Sequence, residues 1–129
     1  MSYNDVYSAW KSDPDAFWMK AAQAIDWDRK PSKALFDENA PMYEWFCDGM
    51  VNTCYNAVDR HVASGRGAQA AIIYDSPVTG AKSTTSYAEL KDQVARLAGA
   101  LATKGVVKGD RVIIYMPLVP HALVAMLAV

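Results

Sequence analysis

The chain has 129 residues, 52% of them hydrophobic and 21% charged, with a formal net charge of −1. That is enough chain for one ordinary domain with a real core, and the apolar content argues against disorder. Both charge signs are mixed along the chain, so there is no basic stripe of the kind nucleic acid binding requires.

The first sixty residues read as helices separated by irregular chain. Ser12 is the expected N-cap of one helix, with Pro14 near its first position and Asp15 three residues on. Phe17, Ala21, Ala24 and Ile25 then recur at helical spacing, with Trp18 beside that face. From Asp26 to Asn39 the chain is polar, carries Pro31 and shows neither period. Such a segment suits an arm wrapped over a larger body, with Trp27, Phe36, Tyr43, Trp45 and Phe46 as its anchors. Asn52 or Thr53 can cap the next helix, on which Cys54, Val58 and His61 share a stripe.

Gly65-Arg66-Gly67 reads as a flexible junction and a domain boundary. Ala70 to Tyr74 is an apolar strand, Asp75 to Gly80 is turn chemistry and Ser83-Thr84-Thr85 is a β-prone return, which together predict a hairpin. Ser86 with Glu89 is a capping box for an amphipathic helix whose buried face is Leu90, Val94, Leu97, Ala98 and Leu101. Lys104 suits the negative end of that helix, and Gly105 supplies a left-handed cap. Lys108-Gly109-Asp110 makes a tight turn into Arg111–Met116. There Val112, Ile113 and Ile114 run consecutively, as in a strand buried on both faces and shared with Ala70–Tyr74 in one sheet. Pro120 then starts a last helix. Strand, helix, strand, helix is the grammar of an α/β layered domain with parallel strands. The last helix runs uncapped and apolar to Val129, so a fragment is the expectation.

Candidate chemistry is sparse. Gly65-x-Gly67 is the only close glycine pair, and it lacks both a third glycine and a following Lys-Ser/Thr, so a junction is favoured over a phosphate cradle. Lys108-Gly109-Asp110-Arg111 has the spacing of a turn between a helix and a strand. His61 titrates in the right range for a general base but has no Ser, Cys or carboxylate partner at triad spacing. Asp13, Asp15, Asp26 and Asp28 read as caps and solvated face, not as paired catalytic carboxylates. Cys47 and Cys54 lie too far apart for a zinc knuckle, and beyond His61 no fourth ligand is in view. Reduced structural thiols are expected, and no metal. No basic segment followed by an apolar run opens the chain, and the longest apolar stretch, Ala122 to Val129, is too short to span a bilayer. The cytoplasm is the expected compartment.

Two stretches carry a family likeness. Trp45-Phe46-Cys47-Asp48-Gly49 runs into Asn52-Thr53-Cys54-Tyr55-Asn56-Ala57-Val58-Asp59-Arg60-His61, and Gly105-Val106-Val107-Lys108-Gly109-Asp110-Arg111-Val112-Ile113-Ile114-Tyr115-Met116-Pro117 follows. In this order and at this distance they resemble the beginning of the short-chain AMP-forming acyl-CoA synthetases, the acetyl- and propionyl-CoA synthetase family. The Trp-Phe-Cys-(acidic)-Gly wording, with Asp13-Pro14-Asp15-Ala16-Phe17-Trp18 before it, is more similar to the propionate branch. His121 departs from the acidic residue often found at its place in the family.

The resemblance implies that residues 1–64 are the acetyl-CoA synthetase-type N-terminal extension and that residues 65–129 begin an adenylate-forming domain. It implies a two-step reaction in the full-length enzyme: a small carboxylic acid and ATP give an acyl-adenylate, and the thiol of coenzyme A then displaces AMP. ATP, Mg and coenzyme A are thus implied for the full-length enzyme and none for these residues, because the family's phosphate loop, adenine and ribose motifs and catalytic lysine match no position here. No catalytic, cofactor-binding or metal residue is carried over. The expected partner is the rest of the synthetase chain, without nucleic acid or membrane, and the isolated piece is expected to self-associate. Two alternatives stay open: a free-standing, non-catalytic interaction or scaffold module, and a ligase for another short-chain acid.

Overall fold

The computed structural model describes residues 2–129 and divides into two compact units, the first ending at Asn52 and the second starting at Thr53. The sequence reading put the junction at Gly65. The division falls earlier because the helical chain from Thr53 carries Val58, 1% exposed, into the core of the second unit.

The first unit opens with α1 (Tyr3–Ser12) and α2 (Pro14–Ala21), followed by a 3-10 turn over Ala22–Ala24. Ser2 and Asp5 form a reciprocal capping box on α1. The cap of α2 is Asp13, not Ser12: Asp13 Oδ1 accepts from the Ala16 N–H at 3.0 Å. Ser12 is still the last residue of α1, where its hydroxyl donates to the Ala9 carbonyl. Asp15 serves neither helix as a box partner, since its Oδ1 accepts the Ala34 N–H at 2.8 Å.

The irregular chain that follows is tied to itself. Two residue pairs form the short antiparallel ladder of β1 (Leu35–Phe36) and β2 (Glu44–Trp45). Arg29 and Met50 make an isolated bridge. Ala22 and Ala34 are buried, and the aromatic rings of this unit pack on one another. Trp27 lies 5.8 Å from Phe46, Phe46 is 6.0 Å from Trp45, and Trp45 meets Trp18 edge-on at 5.8 Å. The Trp27 indole N–H donates to the Ala22 carbonyl at 2.8 Å, which fixes the ring in place. Phe46 sits at φ +50°, a left-handed conformation held by its N–H on Ala34 and its carbonyl accepting from Gly49. Of the expected anchors Tyr43 and Trp45 stay exposed, at 56% and 49%.

The second unit starts with helical chain that widens into π-helical turns at Tyr55–Asp59 and Val62–Arg66, broken at Gly65 with φ +84°. Then come β3 (Ala70–Asp75) and β4 (Lys82–Ser86), paired antiparallel with Ile72 opposite Thr85 and Tyr74 opposite Ser83. The predicted hairpin is present. Next is α3 (Tyr87–Thr103), and Pro120 opens α4 (Pro120–Ala128). The core is Val58, Leu90, Val94 and Val124, with Ala71, Ile72, Leu97 and Leu127 packed against it. This mixed helical and small-sheet unit keeps the α/β class.

The predicted strand Arg111–Met116 does not form. The segment is irregular and pairs in no ladder, with Ile113 91% and Tyr115 100% exposed, so it shares no sheet with β3 and no parallel pair occurs among the described residues. The apolar run has strand propensity, but a strand exists only through a ladder partner, and none of the described residues offers one.

Both ends of α3 follow local rules. Ser86 Oγ accepts the Glu89 N–H, and Glu89 Oε2 accepts the Ser86 N–H at 2.8 Å. At the other end the Gly105 N–H reaches Ala102 and the Val106 N–H reaches Leu101, a Schellman closure with Gly105 at φ +88°. The backbone and side-chain hydrogen bonds from Ser86 lower the Glu89 pKa. A carboxylate depressed in the folded state stabilises above its unfolded pKa, and that contribution is lost as pH falls through the folded value. Urea melts of wild type beside Glu89→Gln should show a gap at neutral pH that narrows in acid, and a gap independent of pH would deny the Glu89 carboxylate its part in the cap. Apart from that titration, Ser86→Ala removes the acceptor of the Glu89 N–H and should cost about 1 kcal/mol.

Candidate functional site

A phosphate cradle needs several backbone N–H groups aimed at one point. At Gly65-x-Gly67 the carbonyls serve local structure: that of Gly67 accepts from the Ala88 N–H and that of Arg66 from the Gln69 N–H. Arg66 is committed locally. Its Nε donates to Gln69 Oε1 at 2.8 Å, its Nη1 meets His61 Nδ1 at 3.2 Å, and its guanidinium lies 5.8 Å over the Tyr87 ring. His61 is half-buried with its ring 5.2 Å from Tyr87. The structure thus joins His61 to Arg66 and Tyr87, residues the spacing did not link, and the contact pins the helical chain to the start of α3.

Cys54 has an acidic neighbour: its Sγ lies 3.9 Å from Asp59 Oδ2, while Asp59 Oδ1 pairs with Lys91 at 3.0 Å. Burial first, and then the Asp59 charge, push the Cys54 thiol up, which leaves it protonated and weakly nucleophilic. Cys47 is exposed, and its thiol is raised by local desolvation and then by the Glu44 and Asp48 carboxylates. Both cysteines are free thiols. Among the described residues no group of three or more His, Cys, Asp or Glu side chains could hold a metal ion.

The charged turn behaves as a turn. Val107 N–H donates to Asp110 Oδ2 at 2.9 Å, Asp110 N–H donates to the Val107 carbonyl, and Gly109 takes φ +100°. His121 stands exposed in the first turn of α4. Of the scattered acids, Asp13 caps α2, Asp15 holds Ala34, and Asp28 gives its N–H to the Met50 carbonyl. Asp48 has a role that spacing did not suggest. It accepts the Ser32 N–H on both oxygens, and the Arg29 Nε donates to its carbonyl at 2.7 Å. Hydrogen bonding from Ser32 first, with the Arg29 charge a lesser cause, holds its carboxyl below the usual range. Only the folded chain could reveal that contact, since sixteen positions separate Ser32 from Asp48.

Open clefts lie among the described residues of the first unit. One, of about 600 Å³, is walled by Met19, Ala22, Ile25 and Trp27 with Lys20 and Lys30 at its margin. Another, of about 640 Å³, brings Trp10, Trp18 and Trp45 together with Asp13 and Asp15. Neither joins a nucleophile to a base.

Comparison with known proteins supplies what this geometry leaves open. Residues 3–57 match the family described as "Acetyl-coenzyme A synthetase N-terminus", and residues 59–129 match "AMP-binding enzyme". The chain is 50% identical over 126 residues to the Bos taurus protein named "Acyl-CoA synthetase short-chain family member 3, mitochondrial", covering 98% of this chain and 18% of that protein. It is 44% identical over 124 residues to "Acetyl-coenzyme A synthetase" of Streptomyces avermitilis, covering 96% of this chain and 19% of that one. The solved structure "Acetoacetyl-CoA Synthetase from Streptomyces lividans" superposes with a TM-score of 0.79 at 31% identity, covering 93% of this chain and 19% of that chain. The chain therefore spans about a fifth of the length of these relatives. It corresponds to their N-terminal part and belongs to the AMP-binding enzyme family, within the acyl-CoA and acetyl-CoA synthetases.

Proposed function

We propose that this chain is the architectural N-terminal part of an acid–CoA ligase. The whole enzyme would activate propionate, or acetate, with ATP to an acyl-adenylate and pass the acyl group to coenzyme A with release of AMP and pyrophosphate. The observation that supports this reading is the run of two family matches, 3–57 and 59–129, along a chain whose polar groups serve caps, turns and local pairs. In this reading residues 1–64 are the N-terminal extension, and residues 65–129 open the adenylate-forming domain. ATP, Mg and coenzyme A belong to the rest of the enzyme, and no residue of this chain has a catalytic, cofactor-binding or metal role.

Stabilising the charge on a transferring phosphorus takes several preorganised donors, and the one close glycine pair here lacks the third glycine and the Lys-Ser/Thr that would complete such a loop. The rest of the synthetase chain is the proposed partner. Ile113, Tyr115 and Leu118, each more than nine-tenths exposed, favour cover by that chain or, in its absence, self-association. The free thiols of Cys47 and Cys54 suit the cytoplasm, our proposed compartment. Among the described residues no helix is long and apolar enough to cross a membrane.

A pyrophosphate-release assay with propionate, acetate and butyrate tests the reading. The 129-residue chain should release none above background and should sediment faster as its concentration rises. The full-length synthetase carrying these residues should turn over propionate or acetate. Turnover by the short chain would overturn the architectural role, and a full-length enzyme inert to all three acids would sink the substrate class.

A further inference from the structure

The cleft of about 640 Å³ in the first unit has a composition that the synthetase reading does not use. Three tryptophans line it and are only partly covered by neighbouring rings, with Trp10 37%, Trp18 38% and Trp45 49% exposed as residues. Trp18 and Trp45 stand at 85° to one another with centroids 5.8 Å apart, which makes a corner of two indoles. Asp13 and Asp15 share this lining. Each spends one carboxylate oxygen on a backbone N–H, Ala16 for Asp13 and Ala34 for Asp15. Lys33, the one cation in the lining, has its charge answered by Glu38 at 3.1 Å and Asp37 at 3.6 Å. The cleft is therefore aromatic and net negative.

Indole faces are the negative side of the ring quadrupole and attract cations, and a carboxylate at the rim adds to that attraction. A neutral apolar occupant would strip water from Asp13 and Asp15 and give them nothing in return. A guanidinium answers both demands, because it stacks flat on indole and forks to carboxylate oxygens. The cleft is larger than one guanidinium, and Pro14, Ala34 and Leu35 supply apolar wall for the residues on either side. We infer that the Trp10–Trp18–Trp45 cleft docks an arginine-bearing peptide segment of a partner protein, with the guanidinium on the indoles and against Asp13 and Asp15.

The test is a nuclear magnetic resonance titration of the whole ¹⁵N-labelled chain, following the four indole N–H signals. The probes are the blocked tripeptide Gly-Arg-Gly and its norleucine counterpart. The arginine peptide should move the Trp10, Trp18 and Trp45 signals saturably, with half-saturation on the order of 1 mM. Trp27 should stay still, because it lies outside this cleft with its N–H on Ala22. Asp13→Asn with Asp15→Asn keeps an oxygen for each backbone N–H, so the fold and the Trp27 signal should be retained while affinity falls roughly three- to ten-fold. No saturable shift, or an equal shift with norleucine, would overturn the inference. So would cleft signals that move on dilution before peptide is added, which would assign the site to a second copy of the chain.

Discussion

Replacing Leu90 by Ala should lower the stability of the second unit by about 2–5 kcal/mol. Leu90 is 3% exposed and sits at the centre of the core with Val58, Val94 and Val124. Truncation removes its transfer free energy and leaves a cavity between α3, α4 and the helical turn at Tyr55–Asp59, three elements with little room to collapse inward together. Leu97 lies on the same face but is only half-buried, so Leu97→Ala should cost clearly less. Chemical denaturation of the two variants beside wild type reads the ordering directly. A Leu90→Ala loss below about half a kcal/mol, or one smaller than that of Leu97→Ala, would show that the core is misplaced on α3.

The second large effect is in the first unit. A Cβ added at Gly49 would come within 2.7 Å of the Trp27 ring and 3.1 Å of the Phe46 carbonyl. Neither can give way cheaply. The Trp27 ring is held by its hydrogen bond to Ala22, and the Phe46 carbonyl accepts the Gly49 N–H at 2.9 Å. Gly49→Ala should therefore cost about 1–3 kcal/mol and shift the Trp27 emission as its ring is displaced. Gly99 is the control of opposite sign, since it lies inside α3 with nothing within 4 Å of an added Cβ. Gly99→Ala should stabilise by up to about 1 kcal/mol through helix propensity alone. Thermal melts that moved the same way for both variants would refute the steric account of Gly49.

Local rules made much of the second unit legible in the sequence. The Ser86–Glu89 box, the Gly105 closure, the hairpin of β3 and β4, and the turn at Lys108–Asp110 all depend on residues within a few positions of each other. Their outcomes could be read from residue type and spacing because the interactions that create them span no more than a turn or two. The family likeness was legible for a similar reason, since it rests on contiguous wording around Trp45–Gly49 and Gly105–Pro117.

Contacts between distant positions were left to the tertiary structure. Pro14 made Ser12 a plausible cap, yet Asp13 is the residue whose carboxylate reaches the Ala16 N–H. Asp15 finds its partner nineteen positions away at Ala34, and the Trp18–Trp45 corner joins positions further apart still. Val112–Met116 shows the limit most clearly. Its apolar run determines that the segment prefers extended chain and should be covered, whereas the ladder that makes a strand is a property of two segments at once. With no partner among the described residues, the same sequence stays outside any ladder and largely exposed. Caps, turns and amphipathic faces were thus determined by the sequence itself; which distant groups meet, and whether an apolar run becomes a strand, only the tertiary structure decided, because those free energies exist only when two separate parts of the chain are brought together.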